Sequence, residues 1–458
     1  MLEWHKLLNK ERRRKSDKNR SDQRNPFERD YDRVIYCSSF RRLKDKAQVF
    51  PLERDDFVRT RLAHSLEVST LGRSFGTDVF KTLKKRKRIK RDEVDENEIA
   101  AILSTVCLLH DIGNPPFGHF GEESIRSWFT KFFSDHKPSL SVAQRKDFEN
   151  FEGNAQAFRI ATYTQFLRDE MGLNLTYGTL ASLIKYPCSS TEFIPKGPRP
   201  LKKFGYFQTE KDVFEDVIKK NGIEKLSRHP LAFLMEAADD IAYSAIDIED
   251  ALRKKEIPCH TFIEYMGDNL KDIDEKKLIT KFKKKRDDLR KTWGNGLADS
   301  IAIQEFRIES TGIMFRACVN AFCENYSKIM ECDFSKELIK ASTASHLYST
   351  CQDFARKYVY VIPSVLSLEI LGCKVIHGLL DFFVKSVHSG NRNNQGTEEG
   401  KLFLLISPGL RKLVEKYKDI EHEDIQYHLA TDFISGMTDN HALNLYQNLS
   451  GIRIGGIK

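Results

Sequence analysis

A run of apolar residues that ends in a histidine and an aspartate constrains this fold more than any other feature of the sequence. The run, IAAILSTVCLLHD, is apolar on almost every side of the helix that it predicts, so that helix has to be buried. His110 and Asp111 stand at its C-terminal end, where Gly113, Pro115 and Pro116 stop it. The chain therefore buries a helix that delivers an imidazole and a carboxylate to the interior.

The His110-Asp111 pair alone carries little weight, because a chain with 13 histidines and this many aspartates contains about one such pair by chance. Its buried setting carries more weight. A buried imidazole and a buried carboxylate are costly unless they are hydrogen-bonded or bound to a metal. Both interpretations stay open at this point, and further ligands elsewhere in the chain would favour the metal.

His64 is one candidate for a further ligand. Between Arg61 and Phe80, His64 recurs with Val68, Leu71 and Phe75 at helical spacing, which places all four on one face of a helix. The histidine is therefore expected to face the interior. An isolated histidine on an apolar face is more often a core residue with satisfied hydrogen bonds than a ligand, and that alternative stays open.

A carboxylate on a third helix is the other candidate. The stretch from Leu231 to Lys255 is rich in alanine and lacks glycine and proline, so it predicts a long helix. Asp239 shares an apolar face of that helix with Met235, whereas Asp240 lies on another face. A buried carboxylate needs a partner, either a metal ion or an arginine. Two imidazoles and two carboxylates suit Mn, Fe, Zn or, less comfortably, Mg, and the sequence does not choose among them.

Composition bounds the class of protein. With 458 residues, of which 40% are hydrophobic and 31% charged, the chain is globular, in one large domain or two to three smaller ones. A formal charge of +8 favours phosphate-bearing partners. The nine cysteines form no CxxC pair, and no apolar leader or 18-residue apolar run occurs. We therefore expect a cytoplasmic protein with reduced thiols and no membrane segment.

The remaining sequence is expected to be mainly helical. Residues 1–30 are polar and basic and are expected to be partly ordered at best, and residues 81–91 predict an exposed basic loop. Residues 186–207 are rich in helix breakers and predict a loop with at most a small β-hairpin. Helical pattern returns over 262–390 and 423–449. The phosphate-binding pattern GxxxxGK[ST] is absent, so the sequence gives no support to a P-loop mechanism.

Four segments together resemble a known family. They are RTRLAHSLEVS, LLHDIGNPPFGHFGE, FEGNAQ and LMEAADDIAYSAIDIEDA, in that order. In this order they are similar to the HD-domain deoxynucleoside triphosphate triphosphohydrolases, specifically the bacterial deoxyguanosine triphosphate triphosphohydrolases. The likeness runs from about Phe27 to Asp250, with a weaker likeness in TDFISGMTD near the C-terminal end. The string HDIGNPPFGHFGE is far more specific than a bare HD pair.

The resemblance implies a fold, a cofactor and a reaction. The fold would be all-α, an HD-domain helical fold with additional helices. One divalent ion per site, Mn, Mg or Fe rather than Zn, would be bound by His64, His110, Asp111 and Asp239. Water would attack the α-phosphorus and the 5′ oxygen would leave, giving a deoxynucleoside and inorganic triphosphate.

The same resemblance implies roles for residues around the metal. His119 would be the proton-transfer residue, with Glu122 orienting its imidazole; without the resemblance, His119 would be an ordinary loop histidine. Tyr243 would pack on the deoxyribose where a 2′-hydroxyl does not fit. The sugar 3′-hydroxyl would be recognised by Gln48 and Asp247, and the triphosphate by Arg61, Asn154, Lys185 and Tyr186.

The expected organisation is a basic segment over 1–30, an HD catalytic core over 31–255 and a helical region over 256–458. That last region would contribute to the substrate pocket and to contacts in a homo-oligomer, a hexamer or tetramer. The expected substrate is dGTP. Alternatives are a broad-specificity dNTP triphosphohydrolase, another HD phosphohydrolase, against which Tyr243 argues, and a nucleic-acid-binding HD protein. In the last case the basic runs would contact phosphates, and single-stranded DNA is a partner to consider beside catalysis.

Overall fold

The computed structural model describes residues 1–14, 23–50, 52, 57–90, 94–165, 171–416 and 423–452. In these ranges the chain is helical and has no β-strand, only two isolated bridges that join Arg12 to Thr176 and Ala47 to Thr60. The all-α prediction is confirmed. The segment 186–207 contains no hairpin; it is a loop with a short 3-10 turn at Arg199–Leu201.

The first eleven helices contain or flank the residues that the sequence motifs singled out. They are α1 (Trp4–Leu7), α2 (Pro26–Ile35), α3 (Ser38–Arg42), α4 (Arg61–Lys85), α5 (Glu96–Leu109), α6 (Gly118–His136), α7 (Val142–Glu149), α8 (Gly153–Arg159), α9 (Tyr177–Leu183), α10 (Lys211–Lys220) and α11 (Pro230–Arg253). The expected buried helix is α5, which ends immediately before His110, and the expected long helix is α11. Both predictions are confirmed.

The second half of the chain is helical as expected. Its helices are α12 (Cys259–Asn269), α13 (Ile273–Glu324), α14 (Tyr326–Met330), α15 (Ser345–Phe354), α16 (Pro363–His388), α17 (Glu398–Leu405), α18 (Pro408–Lys416), α19 (Glu423–Ser435) and α20 (Asp439–Leu449). Helix α13 bends at Gly294, whose φ is 75°, into two arms. An ion pair of 3.0 Å between Lys281 and Glu309 joins the arms.

Local sequence explains where the central helices begin. Asn25 caps α2 in a capping box with Glu28, and Pro26 occupies the first turn, where its missing N–H costs nothing. The Thr60 side chain accepts from the backbone of α4, and the Asp95 side chain does the same for α5. These caps fix the starts of the two helices that hold the histidines.

Helix α4 lies against α5 and α11 at the centre of the molecule. A Cβ atom at Gly76 of α4 would lie 2.9 Å from the Cα atom of Ala100 in α5, so only glycine permits this approach. On the face that the spacing predicts, His64, Val68 and Phe75 are fully buried and Leu71 is partly buried. Close contact of α4 and α5 is what brings the two histidines together.

Two expectations about basic segments need correction in part. Residues 81–85 form the last turn of α4 rather than an exposed loop, because Leu83 is buried and anchors that turn in the core. Residues 86–90 form the expected loop, exposed except at Ile89, and residue 91 lies outside the described part. The N-terminal segment is ordered over residues 1–14: Trp4 and Leu7 are buried, and the Trp4 indole donates to the Tyr326 hydroxyl at 2.7 Å. Residues 15–22 are outside the described ranges.

The buried apolar residues form two cores. The first core contains residues from each of the helices α1 through α5, from α9 and from each of α11 through α15. It extends as far as Val365. The second core joins α6 and α7 to α16, α17, α19 and α20, and it is rich in phenylalanine. A cavity of about 490 Å³ receives residues from both, with Val365 from the first core and Phe117 from the second in its wall. The candidate site is this cavity.

None of the nine cysteines, all of which lie in described ranges, forms a disulfide. No single helix in the described part of the chain is long and apolar enough to cross a membrane. The bent pair Ser345–Val359 and Pro363–His388, whose axes differ by 78°, meets that criterion on length and composition only.

Candidate active site

Three helices bring two imidazoles and a carboxylate together at the floor of the cavity. His64 comes from α4, His110 follows α5, and Asp239 lies on α11. The Nε2 atoms of both histidines lie 3.3 Å from Oδ1 of Asp239, and the three ligand atoms all lie within 4.8 Å of one another. This His64, His110 and Asp239 set, here called the metal floor, has the donors that a divalent ion requires.

The orientation of His110 fits a metal ligand. Its Nδ1 lies 2.6 Å from the carbonyl oxygen of Cys107, and because a carbonyl only accepts, Nδ1 carries the proton. Its buried Nε2 therefore directs a lone pair toward Asp239 and has no hydrogen-bond partner among the described residues. Nε2 and the carboxylate oxygen that faces it need a cation between them, either a metal ion or a proton on Nε2. The residues present thus fit a metal ion.

The charges around the metal floor favour an ionised carboxylate. Burial would raise the pKa of Asp239, but the charge of Lys185 and, to a smaller extent, that of His110 outweigh this effect. Together they hold the pKa of Asp239 well below its usual value. The Lys185 Nζ lies 2.8 Å from Oδ2 of Asp239. Burial would lower the pKa of His110, and Asp111 and Asp239 together raise it instead. Asp239 is therefore available as an anionic ligand.

Asp111 is placed differently from the other three predicted ligands. Its Oδ1 lies 3.5 Å from Nε2 of His110 but also accepts from the Asn114 amide at 2.7 Å, and its Oδ2 is ion-paired with Arg61. Arg61 opposes the effect of burial and keeps the pKa of Asp111 below its usual value. The structure thus gathers three of the four predicted ligands, and the role of Asp111 as the fourth stays a prediction.

His119 and Glu122 form a pair at the start of α6. The His119 Nδ1 lies 3.0 Å from Oε2 of Glu122, and the other oxygen of Glu122 accepts from the Gly153 amide at 2.8 Å. Burial would raise the pKa of Glu122, but Lys203 and His119 lower it to about 2. An ionised carboxylate only accepts, so Nδ1 is the donor, and no hydrogen bond to Nε2 of His119 is found among the described residues. The His119 side chain is 70% exposed and lines the cavity.

One wall of the cavity is cationic. Besides Arg61 and Lys185 it contains Lys203 and Arg199 from the loop that follows α9. Lys203 is paired with Glu152 at 3.0 Å, and the Arg199 guanidinium lies 5.6 Å from the ring centre of Tyr186. The predicted residues Asn154, Lys185 and Tyr186 line the same wall. Fixed cations in this number suit a ligand with several negative charges.

Two stacked tyrosines, here called the tyrosine wall, also line the cavity. The rings of Tyr243 and Tyr360 lie 6.3 Å apart at 16°, and their hydroxyls are 2.5 Å apart. The Tyr360 hydroxyl also lies 2.6 Å from Oδ2 of Asp247, whose pKa burial raises to about 8. Asp247 therefore lies behind Tyr360 and not on the cavity surface. Gln48 does line the cavity, with a buried Oε1 that has no hydrogen-bond partner in the described ranges.

The sequence interpretation missed several residues of the cavity. Lys203 is one of many lysines in a loop, so composition gave no reason to select it. Tyr360 and Glu369 lie more than a hundred residues after Tyr243, in a region where the family likeness is weak. Glu369 of α16 lines the cavity, and partial burial raises its pKa to about 7.

An all-α chain that gathers two histidines and an aspartate from three helices belongs to the class of HD-domain proteins. The HD-domain family profile matches residues 61–182, which include His64, His110 and Asp111. A "deoxyguanosinetriphosphate triphosphohydrolase-like protein" of Listeria innocua is 38% identical over 98% of this chain and 100% of its own length. A protein of the same description from Synechocystis is 35% identical over 99% of this chain and 100% of its own.

A relative whose description lacks the suffix '-like' is also similar to this chain. The "deoxyguanosinetriphosphate triphosphohydrolase" of Yersinia pestis strain Pestoides F is 30% identical over 92% of this chain and 93% of its own length. The chain therefore belongs to the deoxyguanosinetriphosphate triphosphohydrolase family of HD-domain proteins, as the motifs predicted. HD domains are metal-dependent hydrolases, and the metal floor is the corresponding candidate site in this chain.

Proposed function

We propose that this protein hydrolyses dGTP to deoxyguanosine and inorganic triphosphate in a metal-dependent reaction, with water attacking the α-phosphorus. The observation that carries the proposal is the arrangement of the cavity. The cavity is lined by His110 and Asp239 of the metal floor, by several fixed cations and by the stacked Tyr243 and Tyr360. These three kinds of group suit a metal-bound α-phosphate, a triphosphate and a sugar, respectively. The names of the relatives support the same substrate.

One divalent ion, Mn, Mg or Fe in preference to Zn, would be held by His64, His110 and Asp239, with Asp111 as the proposed fourth ligand. When bound, such an ion withdraws charge from the phosphate and lowers the pKa of a coordinated water. The paired Nδ1 of His110 supports this assignment, since it directs the Nε2 lone pair into the cavity.

The side chains of the chain itself perform the remaining tasks. Arg61, Lys185 and Lys203 would neutralise the triphosphate and hold the α-phosphorus over the floor. His119 would move a proton at its Nε2 to the departing 5′ oxygen, while Glu122 stabilises the imidazolium through Nδ1. The substrate would have to bring its 5′ oxygen within hydrogen-bond reach of that nitrogen.

The tyrosine wall supports a deoxyribose. Tyr243 is fixed by its hydroxyl contact with Tyr360 and by ring stacking, so it cannot move aside easily for an additional hydroxyl. The unpaired oxygen of Gln48 is available to a sugar 3′-hydroxyl, because a buried acceptor without a donor is costly. Asp247 would act on the sugar through Tyr360.

Glu369 supports a preference for guanine nucleotides rather than equal activity on all dNTPs. A carboxylate accepts from the N1–H and the exocyclic amine of guanine, whereas the matching edge of adenine presents an unprotonated N1. Glu369 lines the cavity from α16, and no ion pair with it is found among the described residues. Oligomer formation and binding of single-stranded DNA stay predictions.

A product assay tests the proposal. Purified protein with Mn²⁺ or Mg²⁺ is given each of the four dNTPs and GTP, and the products are resolved by chromatography. Deoxyguanosine and triphosphate from dGTP, with little product from GTP, are expected. Equal turnover of all four dNTPs would keep the reaction and reject the guanine preference. Monophosphate and pyrophosphate as products, or no product even with mixed dNTPs present, would reject the proposed reaction.

A further inference from the structure

Three segments that are far apart in the sequence meet at the edge of the cavity. They are residues 46–48, residues 114–119 and residues 435–439. The Lys46 Nζ donates to the carbonyl oxygens of Asn114 at 2.5 Å and of Ser435 at 2.7 Å. Lys46 is buried, so both bonds are protected from water. The lysine therefore ties the C-terminal segment to both of the others.

Asp439 makes the complementary connection. Its Oδ2 accepts from the amide of Ala47 at 2.8 Å, and its Oδ1 accepts from the amide of Phe117 at 2.9 Å. The side chain is 2% exposed. Each oxygen of one buried carboxylate thus serves a different segment, and charge-assisted bonds of this kind are stronger than neutral ones.

The two amides lie next to residues of the proposed reaction. Ala47 directly precedes Gln48, the proposed ligand of the sugar 3′-hydroxyl. Phe117 is two residues before His119, the proposed proton-transfer residue. Asp439 itself is absent from the cavity wall, so its effect on a substrate would act through these two neighbours.

The backbone at Phe117 needs such support. Phe117 has a φ of +63°, in the left-handed region that a bulky side chain rarely adopts, and Gly118 follows with +61°. The Phe117 ring packs against Gly372 of α16, where a Cβ would lie 2.7 Å from the ring. The turn that presents His119 is therefore held by a packing contact on one side and by the Asp439 carboxylate on the other.

We propose that Asp439 is a positioning residue that sets Gln48 and His119 relative to one another across the cavity. This inference rests on the proposed function, because it concerns the same substrate. It assigns to the segment 435–439 a part in the site, although Asp439 itself does not line the cavity.

The test compares Asp439→Asn with a matched control, Asp30→Asn. Asp30 is also a fully buried carboxylate that connects distant segments, with Arg12 on one oxygen and the Thr176 amide on the other, but it lies outside the cavity wall. Asp439→Asn should lower kcat per bound metal about tenfold to a hundredfold, because small misplacements of catalytic groups have effects of this size. The control should change kcat per bound metal less than about twofold.

A second readout is insensitive to the folded fraction. Wild-type protein should prefer dGTP to 2′,3′-dideoxy-GTP about fivefold or more in kcat/KM, through the Gln48 contact. In Asp439→Asn that ratio should fall toward one, and in Asp30→Asn it should stay at the wild-type value. Lys46→Met, which removes the companion bonds, should behave like Asp439→Asn. An unchanged ratio together with control-like kcat in Asp439→Asn would overturn the positioning role.

Hydrogen exchange separates this inference from the proposed function. In Asp439→Asn the amides of Ala47 and Phe117 should exchange at least about tenfold faster than in wild type, while amides of α5 stay protected. Wild-type protein without any triphosphate release would reject the proposed function alone. Unchanged protection of both amides would reject the role of Asp439, whatever the activity.

Discussion

The floor and the cover of the cavity are built in different ways. The metal floor takes one residue from α4, one from α11 and one from the position directly after α5, and these three helices of the first core contact one another directly. The cover, here meaning Phe117, Tyr360, Glu369 and Asp439, comes from the residue before α6, from the segment before α16, from α16 itself and from the start of α20. Floor residues are fixed by the faces of regular helices. Cover residues are placed by hydrogen bonds and packing between distant segments, so we expect them to tune the proposed reaction rather than to enable it.

This difference predicts an order of effects. Changes in the floor should abolish metal binding and activity together. Changes in the cover should leave the metal in place and alter turnover or selectivity.

Asp239→Ala should give the largest loss. It removes the only carboxylate of the metal floor and leaves Lys185 as an unpaired buried cation. Metal stabilisation of transition-state charge amounts to several kcal/mol, so activity should fall about 10³-fold or more. Bound metal, measured by elemental analysis of dialysed protein, should fall with it.

The adjacent Asp240→Asn is the matched control for Asp239→Ala. Asp240 lies on another face of α11, contacts the Tyr348 hydroxyl at 3.3 Å, and has a pKa that burial raises to about 8. A neutral amide therefore resembles its state at pH 7, and metal content and rate should stay near wild type. Retention of metal by Asp239→Ala would contradict the metal floor.

His119→Ala should give the second-largest loss. General acid catalysis contributes about 10² to 10⁴ in rate, so kcat should fall by that factor while metal content stays at the wild-type level. Glu122→Gln should lose less, because the amide oxygen still accepts from Nδ1 of His119 but carries no charge. His136→Ala, at the other end of α6, should keep full activity. A rate near wild type in His119→Ala would exclude the proton-transfer role.

Tyr360→Phe should have a smaller effect, confined to the sugar. The hydroxyl joins Tyr243 to Asp247, and its loss leaves Tyr243 held by stacking alone. The preference for dGTP over GTP in kcat/KM should fall about tenfold, and kcat on dGTP should change less than that. Tyr358→Phe, which removes the hydroxyl from a ring packed on Phe354, serves as the control. If Tyr360→Phe discriminates against GTP as strongly as wild type, the Tyr360 hydroxyl is not required to hold Tyr243 in place.

The sequence was sufficient for the floor because helical spacing and burial act locally. His64 lies on a predictable face, and the apolar run that ends at His110 requires a buried helix. The cost of burying Asp239 on α11 could also be inferred from its apolar neighbours. The ion pair that engages Asp111 with Arg61 depends on tertiary placement and could not be read in this way.

The cover could not be predicted either, because its contacts also depend on tertiary placement. Asp439 contacts amides 322 and 392 positions away, and no periodicity reports a contact of that separation. Basic composition was also a poor guide to order in two segments of the first core. Residues 81–85 are basic but continue α4, since Leu83 buries its side chain, and Trp4 anchors a segment whose overall polarity suggested little order.

Glu369→Gln should give the smallest effect and the most specific one. A guanine edge that donates to a carboxylate loses a charge-assisted bond, so kcat/KM for dGTP should fall about three- to tenfold, and that for dATP should change little. Competition between the two nucleotides in one reaction measures this ratio directly, and any pH dependence of the shared chemistry cancels.

The pH dependence of the same ratio gives the decisive comparison. Because partial burial raises the pKa of Glu369 to about 7, this group is a carboxylate above that pH and a neutral acid below it. Only the carboxylate accepts from both guanine donors, so the preference of wild-type protein for dGTP over dATP should weaken as the pH falls from 8 to 6. In Glu369→Gln the ratio should be low and flat over that range. A flat ratio in wild type, or an equal slope in the variant, would remove Glu369 from base recognition and assign the preference to another part of the cover.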